Sequence, residues 1–142
     1  MSQIDHTITD IHLLGNQYRS SKLAPLGLKF NHAGYLLEIC RDPGLSQDTL
    51  AQRLCVSKSN VARQVASLEE DGFLSRKSAP GDKRVLQVYP TDKTLEILEQ
   101  ITDIVHNWGL LLVRNFTQEE AQTLTKLLGR MKDNASAWME VI

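Results

Sequence analysis

The sequence predicts a mainly α-helical fold with one small β-hairpin, and three observations predict it. Apolar residues recur at spacings of three and four through most of the chain, which is the period of a helix with one buried side. Two stretches rich in Phe, Val, Leu and Tyr, FLSRKSA and VLQVYP, flank the turn-forming run Pro80-Gly81. Hydrophobic residues make up 42 % and charged residues 23 % of 142 residues, enough apolar surface for one domain with its own core.

Each element follows in order. Ile4, Ile8, Ile11, Leu14 and Tyr18 share one side of a first helix, and SSKLAPLGLKF, with Pro25 and Gly27, reads as a connector. Asn31 is the expected N-cap of a second helix that gathers Tyr35, Leu36, Ile39 and Cys40 on one side and stops at Asp42-Pro43-Gly44. Ser46 is placed to cap a short third helix with Leu50, Ala51 and Leu54 inward. After the turn Cys55-Val56, Ser57 is placed to cap a fourth helix that reaches Asp71 and stops at Gly72. Pro80 to Arg84 reads as a hairpin loop with charge at its tip. Thr91 is the expected cap of a long helix striped by Leu95, Leu98, Ile101, Val105, Trp108 and Leu112. Thr117 and Glu120 form a capping box for a last helix striped by Ala121, Leu124, Leu128, Met131, Ala135 and Trp138. The two tryptophans read as packing residues, and Cys40 and Cys55 as small buried hydrophobes.

Charge narrows the function. Sixteen basic against 17 acidic residues give a net charge of −1, which offers no general attraction for polyanions. Between Arg53 and Arg84, however, seven basic residues face four acidic ones, a balance of +3 that leaves the rest at −4. A basic centre between acidic ends suits one face meeting phosphate. No apolar run is long enough to span a bilayer, and MSQIDHTITD has no leader pattern, so a soluble, cytoplasmic protein with no membrane partner is expected. P-loop, dinucleotide, nucleophile-elbow and metal-hydrolase motifs are all absent, and His6, His12, His32 and His106 are scattered. No enzyme, cofactor or metal site is therefore expected.

The fourth helix carries the chemistry. Val61, Val65 and Leu68 fall within one narrow arc, and the outer half holds Ser59, Asn60, Arg63 and Ser67, side chains able to hydrogen-bond base edges or phosphates. Ser57 and Lys58, at its start, offer backbone N–H groups and a positive charge to a phosphate. Alone, such a face reads as the ordinary solvated face that most surface helices have. The context decides: short helix, tight turn, polar-faced helix and basic hairpin follow without interruption, which is the order of a winged helix-turn-helix. Lys83 and Arg84 are the wing's cations, and Asp82 is placed to anchor a neighbouring Arg.

The segment LSQDTLAQRLCVSKSNVARQVASLEEDGFLSRKSAPGDKRVLQVYPTDK resembles the MarR-type transcriptional regulators. Val56 to Arg63 looks like that family's recognition helix, Leu68-Glu69 with Gly72 and Arg76 like its exit into the wing, and Asp82-Lys83-Arg84 like its D-x-R motif. Pro90 and Thr94 depart from the pattern, which more often has an aliphatic residue and a glycine there. The resemblance implies one MarR-type domain over 1–142: a winged helix-turn-helix lobe at 45–90, and a helical dimerisation region at 1–30 and 91–142. It further implies that Arg63 reads the major groove of double-stranded DNA and Arg84 enters the minor groove. The implied protein is a homodimeric repressor on a pseudo-palindromic operator, responsive to a small-molecule effector such as an aromatic acid or phenol. Uncovered apolar stripes on the terminal helices argue separately for a second copy. The alternative is a winged-helix module that binds another protein.

Overall fold

The structure, a computed structural model, describes residues Ser2 to Val141. Six helices and a hairpin follow the expected order: α1 Gln3–Leu23, α2 His32–Arg41, α3 Gln47–Leu54, α4 Lys58–Glu70, β1 Leu74–Ala79, β2 Asp82–Pro90, α5 Asp92–Leu112 and α6 Gln118–Val141. A 3-10 turn at Ala24–Leu26 ends in left-handed Gly27 and forms the Pro-Gly connector. The chain divides into two compact units, one ending at Trp108 and the other beginning at Gly109.

The first unit holds the core. Tyr35, Leu36 and Ile39 of α2, Leu50 and Ala51 of α3, Val61, Val65 and Leu68 of α4, Leu74 and Val88 of the hairpin, and Ile101 of α5 are buried together. Ser46 and Ser57 cap α3 and α4 as expected, accepting the backbone N–H of Thr49 at 3.0 Å and of Asn60 at 3.1 Å. The short α3 ends on Cys55, in the left-handed region at φ 56°, where its N–H closes the helix onto Ala51 and Gln52. The expectation of buried cysteines fails here: Cys55 is exposed and Cys40 half-buried, because one ends a helix on the outer side of the turn and the other lies at the margin of the α2 stripe.

Two expected caps also fail. Asn31 precedes α2 but keeps helical backbone angles and makes no side-chain cap. Instead the Lys29 N–H donates to Nδ1 of buried His32 at 3.0 Å. Thr91 precedes α5, but its hydroxyl donates to the Gly72 carbonyl at 2.6 Å. Neighbouring residues do the same: Lys93 Nζ donates to the Asp71 carbonyl at 2.7 Å and the buried Thr94 hydroxyl to that of Phe73. Three successive carbonyls at the exit of α4 are thus held by Thr91 and the first turn of α5. This accounts for Thr94, since glycine could not make that bond.

The hairpin is tighter than its sequence suggests. β1 and β2 pair antiparallel from Leu74↔Pro90 to Ser78↔Leu86, and after a bulge Ala79 faces Asp82, so the loop is Pro80-Gly81 with Gly81 at φ 82°. Asp82, Lys83 and Arg84 lie in β2 rather than in a loop, because charge is tolerated on a solvated hairpin while the backbone supplies the pairing. The segment before α3 adds a third rung, the Gly44 N–H donating to the Val88 carbonyl at 2.8 Å and the Val88 N–H to that of Leu45 at 3.0 Å.

On α1 the predicted stripe is exposed: Ile4, Ile8, Ile11 and Leu14 face solvent, and half-buried Tyr18 stacks on half-buried Trp108 with ring centroids 5.1 Å apart. In the second unit the capping box forms as read, the Thr117 N–H reaching Glu120 Oε1 at 2.9 Å and the Glu120 N–H reaching Thr117 Oγ1 at 3.1 Å. Leu127, Leu128, Met131, Trp138 and Met139 of α6 are exposed, so Trp138, expected to be a packing residue, stands exposed where Trp108 is half-buried.

Candidate nucleic-acid interface

Local sequence makes α4 two-faced. Its three buried side chains fall on one arc, and Ser59 and Arg63 stand exposed on the opposite one. Ser67 is half-buried. Asn60, expected on the outer half, lies at the edge of that face: it is half-buried and lines a cleft on the inner side. At the helix start Ser57 is exposed with its hydroxyl engaged in the cap and 3.3 Å from that of Ser59, and exposed Lys58 pairs with Asp48 at 3.5 Å.

On β2 the Asp82 carboxylate accepts the Arg84 backbone N–H at 3.0 Å and its Nε at 3.3 Å. This leaves the outer guanidinium edge free, on a side chain 93 % exposed. Lys83 is exposed and, like Arg63, has no carboxylate within ion-pair distance among the described residues. A small hollow of about 70 Å³ brings Arg84 beside Ser46, Gln47 and Asp48 at the start of α3. Through Asp48, Lys58 and Arg84 therefore belong to one continuous surface.

The basic excess of the sequence is not all available to a ligand. Arg53 is bound to Asp42 at 2.9 Å and Glu38 at 3.5 Å, and Arg76 to Glu69 at 3.0 Å. Lys77 lies over the Tyr89 ring. Counting charges along the chain could not separate these from Arg63 and Lys83, since their partners are set by the fold.

Two clefts inside the first unit escaped the sequence reading. One, of about 330 Å³, is lined by Phe30, Leu37 and Val105 together with His12, Asn16 and Arg19. Arg19 is half-buried and donates to Asn16 Oδ1 at 2.9 Å, and its burial lowers its pKa. The other, of about 360 Å³, shares His12, Phe30 and Asn31 and continues past Tyr35, Leu54 and Val56 to Asn60 of α4. The Tyr35 hydroxyl is buried without a hydrogen-bond partner among the described residues. Burial raises its pKa, opposed by the charge of Arg63. Such a phenol keeps its proton and is a donor awaiting an acceptor. In the sequence Tyr35 is indistinguishable from any aromatic on an apolar stripe.

Comparison with known proteins agrees with this architecture. Residues 26–85 match the model of the MarR family. The HTH-type transcriptional regulator BilQ of Clostridioides difficile is 30 % identical over 103 residues, 72 % of this chain and 70 % of that protein. YybA of Bacillus subtilis, an HTH-type transcriptional regulator, is 28 % identical over 100 residues, 70 % of this chain and 67 % of that one. Among solved structures, a MarR protein from Peptoclostridium difficile superposes with a TM-score of 0.95 at 30 % identity, over 99 % of this chain and 93 % of that one. A MarR family regulator from Listeria monocytogenes, crystallised with DNA, gives 0.90 at 25 % identity over 99 % and 95 %. With a winged helix-turn-helix, matching regulators rather than enzymes, and a relative at this identity over this length, the chain belongs to the MarR family of transcriptional regulators.

Proposed function

We propose that the protein is a homodimeric repressor that reads a pseudo-palindromic operator with two copies of α4. The observation that carries this is the exposed Arg63 on the outer face of α4, on the same lobe as a wing whose Arg84 is held at its inner edge and free at its outer one. Arg63 is suited to a guanine edge in the major groove, and Arg84, backed by Asp82, to the minor groove. Ser57, Lys58 and Lys83 are assigned to phosphates, and Ser59, Asn60 and Ser67 to the groove walls. The lobe at 45–90 is the reading unit. The segments 1–30 and 91–142 are assigned to dimerisation, for which the exposed Ile4, Ile8 and Ile11 of α1 and, in the second unit, Leu128 and Trp138 of α6 supply apolar surface.

The two clefts support control by a small aromatic acid. An apolar wall with a half-buried guanidinium suits an aromatic ring bearing a carboxylate, and the unpartnered Tyr35 hydroxyl offers it a donor on the side where Asn60 belongs to α4. A ligand seated there acts on DNA binding only through a difference in affinity between two arrangements of α4.

Footprinting on the DNA flanking the gene, with titrations of the protected duplex, tests the reading. Arg63→Ala and Arg84→Ala should each weaken binding by about 1–3 kcal/mol, and specific affinity should fall steeply with salt as counterions are released. Unchanged affinity in both variants removes these two side chains from the interface. Binding no duplex better than random competitor overturns the proposal in favour of a protein-binding module.

A further inference from the structure

We propose that Glu69, an acidic residue, is a positioning residue for DNA binding: with Arg76 and Gln47 it fixes the wing's attitude to α4, so that Arg63 and Arg84 engage one duplex together. The inference rests on the DNA-reading function proposed above and adds residues that make no assigned contact with DNA.

The geometry is a clamp across three elements. The Arg76 backbone N–H, on β1, donates to Glu69 Oε2 at 3.0 Å, while its Nε and Nη2 donate to Glu69 Oε1 at 3.3 and 3.0 Å. Its remaining nitrogen, Nη1, reaches Gln47 Oε1 in the first turn of α3 at 3.4 Å. One carboxylate at the end of α4 therefore grips a wing strand by main chain and side chain at once, and the same guanidinium ties that strand to α3. The Arg76 hydrogen bonds hold the Glu69 carboxyl below the usual carboxylate range, which keeps it charged at neutral pH. Between the two residues the chain turns through Gly72 at φ 86°, and the wing beyond Arg76 is a two-stranded ribbon, marginally rigid on its own. A tilt at Arg76 grows along the ribbon toward Arg84.

Binding a duplex at two points is favourable only to the extent that the second contact is already in place when the first forms. The clamp supplies that arrangement. Electrostatics alone predicts the opposite effect of removing it, because deleting a carboxylate beside a phosphate-binding face should tighten binding. The sign of the change is therefore diagnostic.

The experiment measures affinity of the full-length protein for a duplex selected from a random pool, in wild type, Glu69→Ala, Arg84→Ala and the double variant, with thermal melts of each. Glu69→Ala should bind about tenfold more weakly, and Arg84→Ala should then add less than about twofold in that background, the non-additivity expected of coupled sites. Glu69→Gln keeps an acceptor for the guanidinium and should fall between wild type and Glu69→Ala, which preserves the test if the alanine variant folds poorly. Unchanged or tighter binding by both Glu69 variants overturns the proposal. So does weaker binding in which the Arg84→Ala effect is undiminished, since that marks a role in stability alone. Failure of the wild type to bind any duplex defeats the function proposed above, and this inference with it; a wild type that binds, with Glu69 variants that bind as well or better, defeats only the clamp.

Discussion

His32 sits fully buried at the start of α2, with the Lys29 N–H on its Nδ1, so its ring proton belongs on Nε2, 3.3 Å from Gln64 Oε1 of α4. Burial lowers its pKa, Gln64 opposes the shift, Lys29 adds to it and Asp71 opposes it. A histidine whose folded pKa lies below its unfolded value near 6.5 is protonated first in the unfolded chain. Its contribution to stability is therefore complete above about pH 6.5 and declines as pH falls toward the folded pKa. The Tm should drop as pH falls below about 6.5, and His32→Gln should flatten that part of the profile. Tyr35 makes a contrasting case. Its hydroxyl is buried and unpartnered, so Tyr35→Phe should leave the Tm unchanged or raise it, as removal of an unsatisfied polar group does. The same variant should weaken any stabilisation by aromatic acids in a thermal-shift assay.

At the scale of elements, α4 is the part most fully determined by local sequence. Its cap, its buried arc of Val61, Val65 and Leu68 and its exposed Arg63 all follow from the identity and 100° spacing of its residues. Leu68→Ala should destabilise the fold by about 2–5 kcal/mol in chemical denaturation, and Ser57→Ala by about 1 kcal/mol. Where the reading of elements failed, the deciding partner lay far along the chain. Thr91 has the chemistry of a cap, yet its hydroxyl goes to Gly72; Asn31 has it too, yet its side chain makes no cap bond to α2. The run Asp82-Lys83-Arg84 has loop composition, but pairing with β1 is a property of the backbone, which composition does not report. The Glu69–Arg76 contact, between residues seven apart, depends on the turn at Gly72 that folds β1 back on α4.

For the whole molecule, the apolar stripes of α1 and α6 were legible as stripes, and many of their side chains stand exposed; the dimer proposed above would cover them. The exposed side chains Ile8 and Ile11 test that covering. Ile8→Glu combined with Ile11→Glu should leave the helix content of the chain unchanged, since both side chains are exposed within it. Sedimentation should show a shift from dimer to monomer, with operator affinity falling in parallel. A dimer of unchanged stability would exclude this part of α1 from the interface. Within the first unit, one seam has a mechanical meaning. The main chain leaving α4 offers three carbonyls in a row, and Thr91, Lys93 and Thr94 take all three before α5 has completed a turn. The end of α4 and the base of α5 are geared together like a key and its shank, so turning one delivers the rotation to the other.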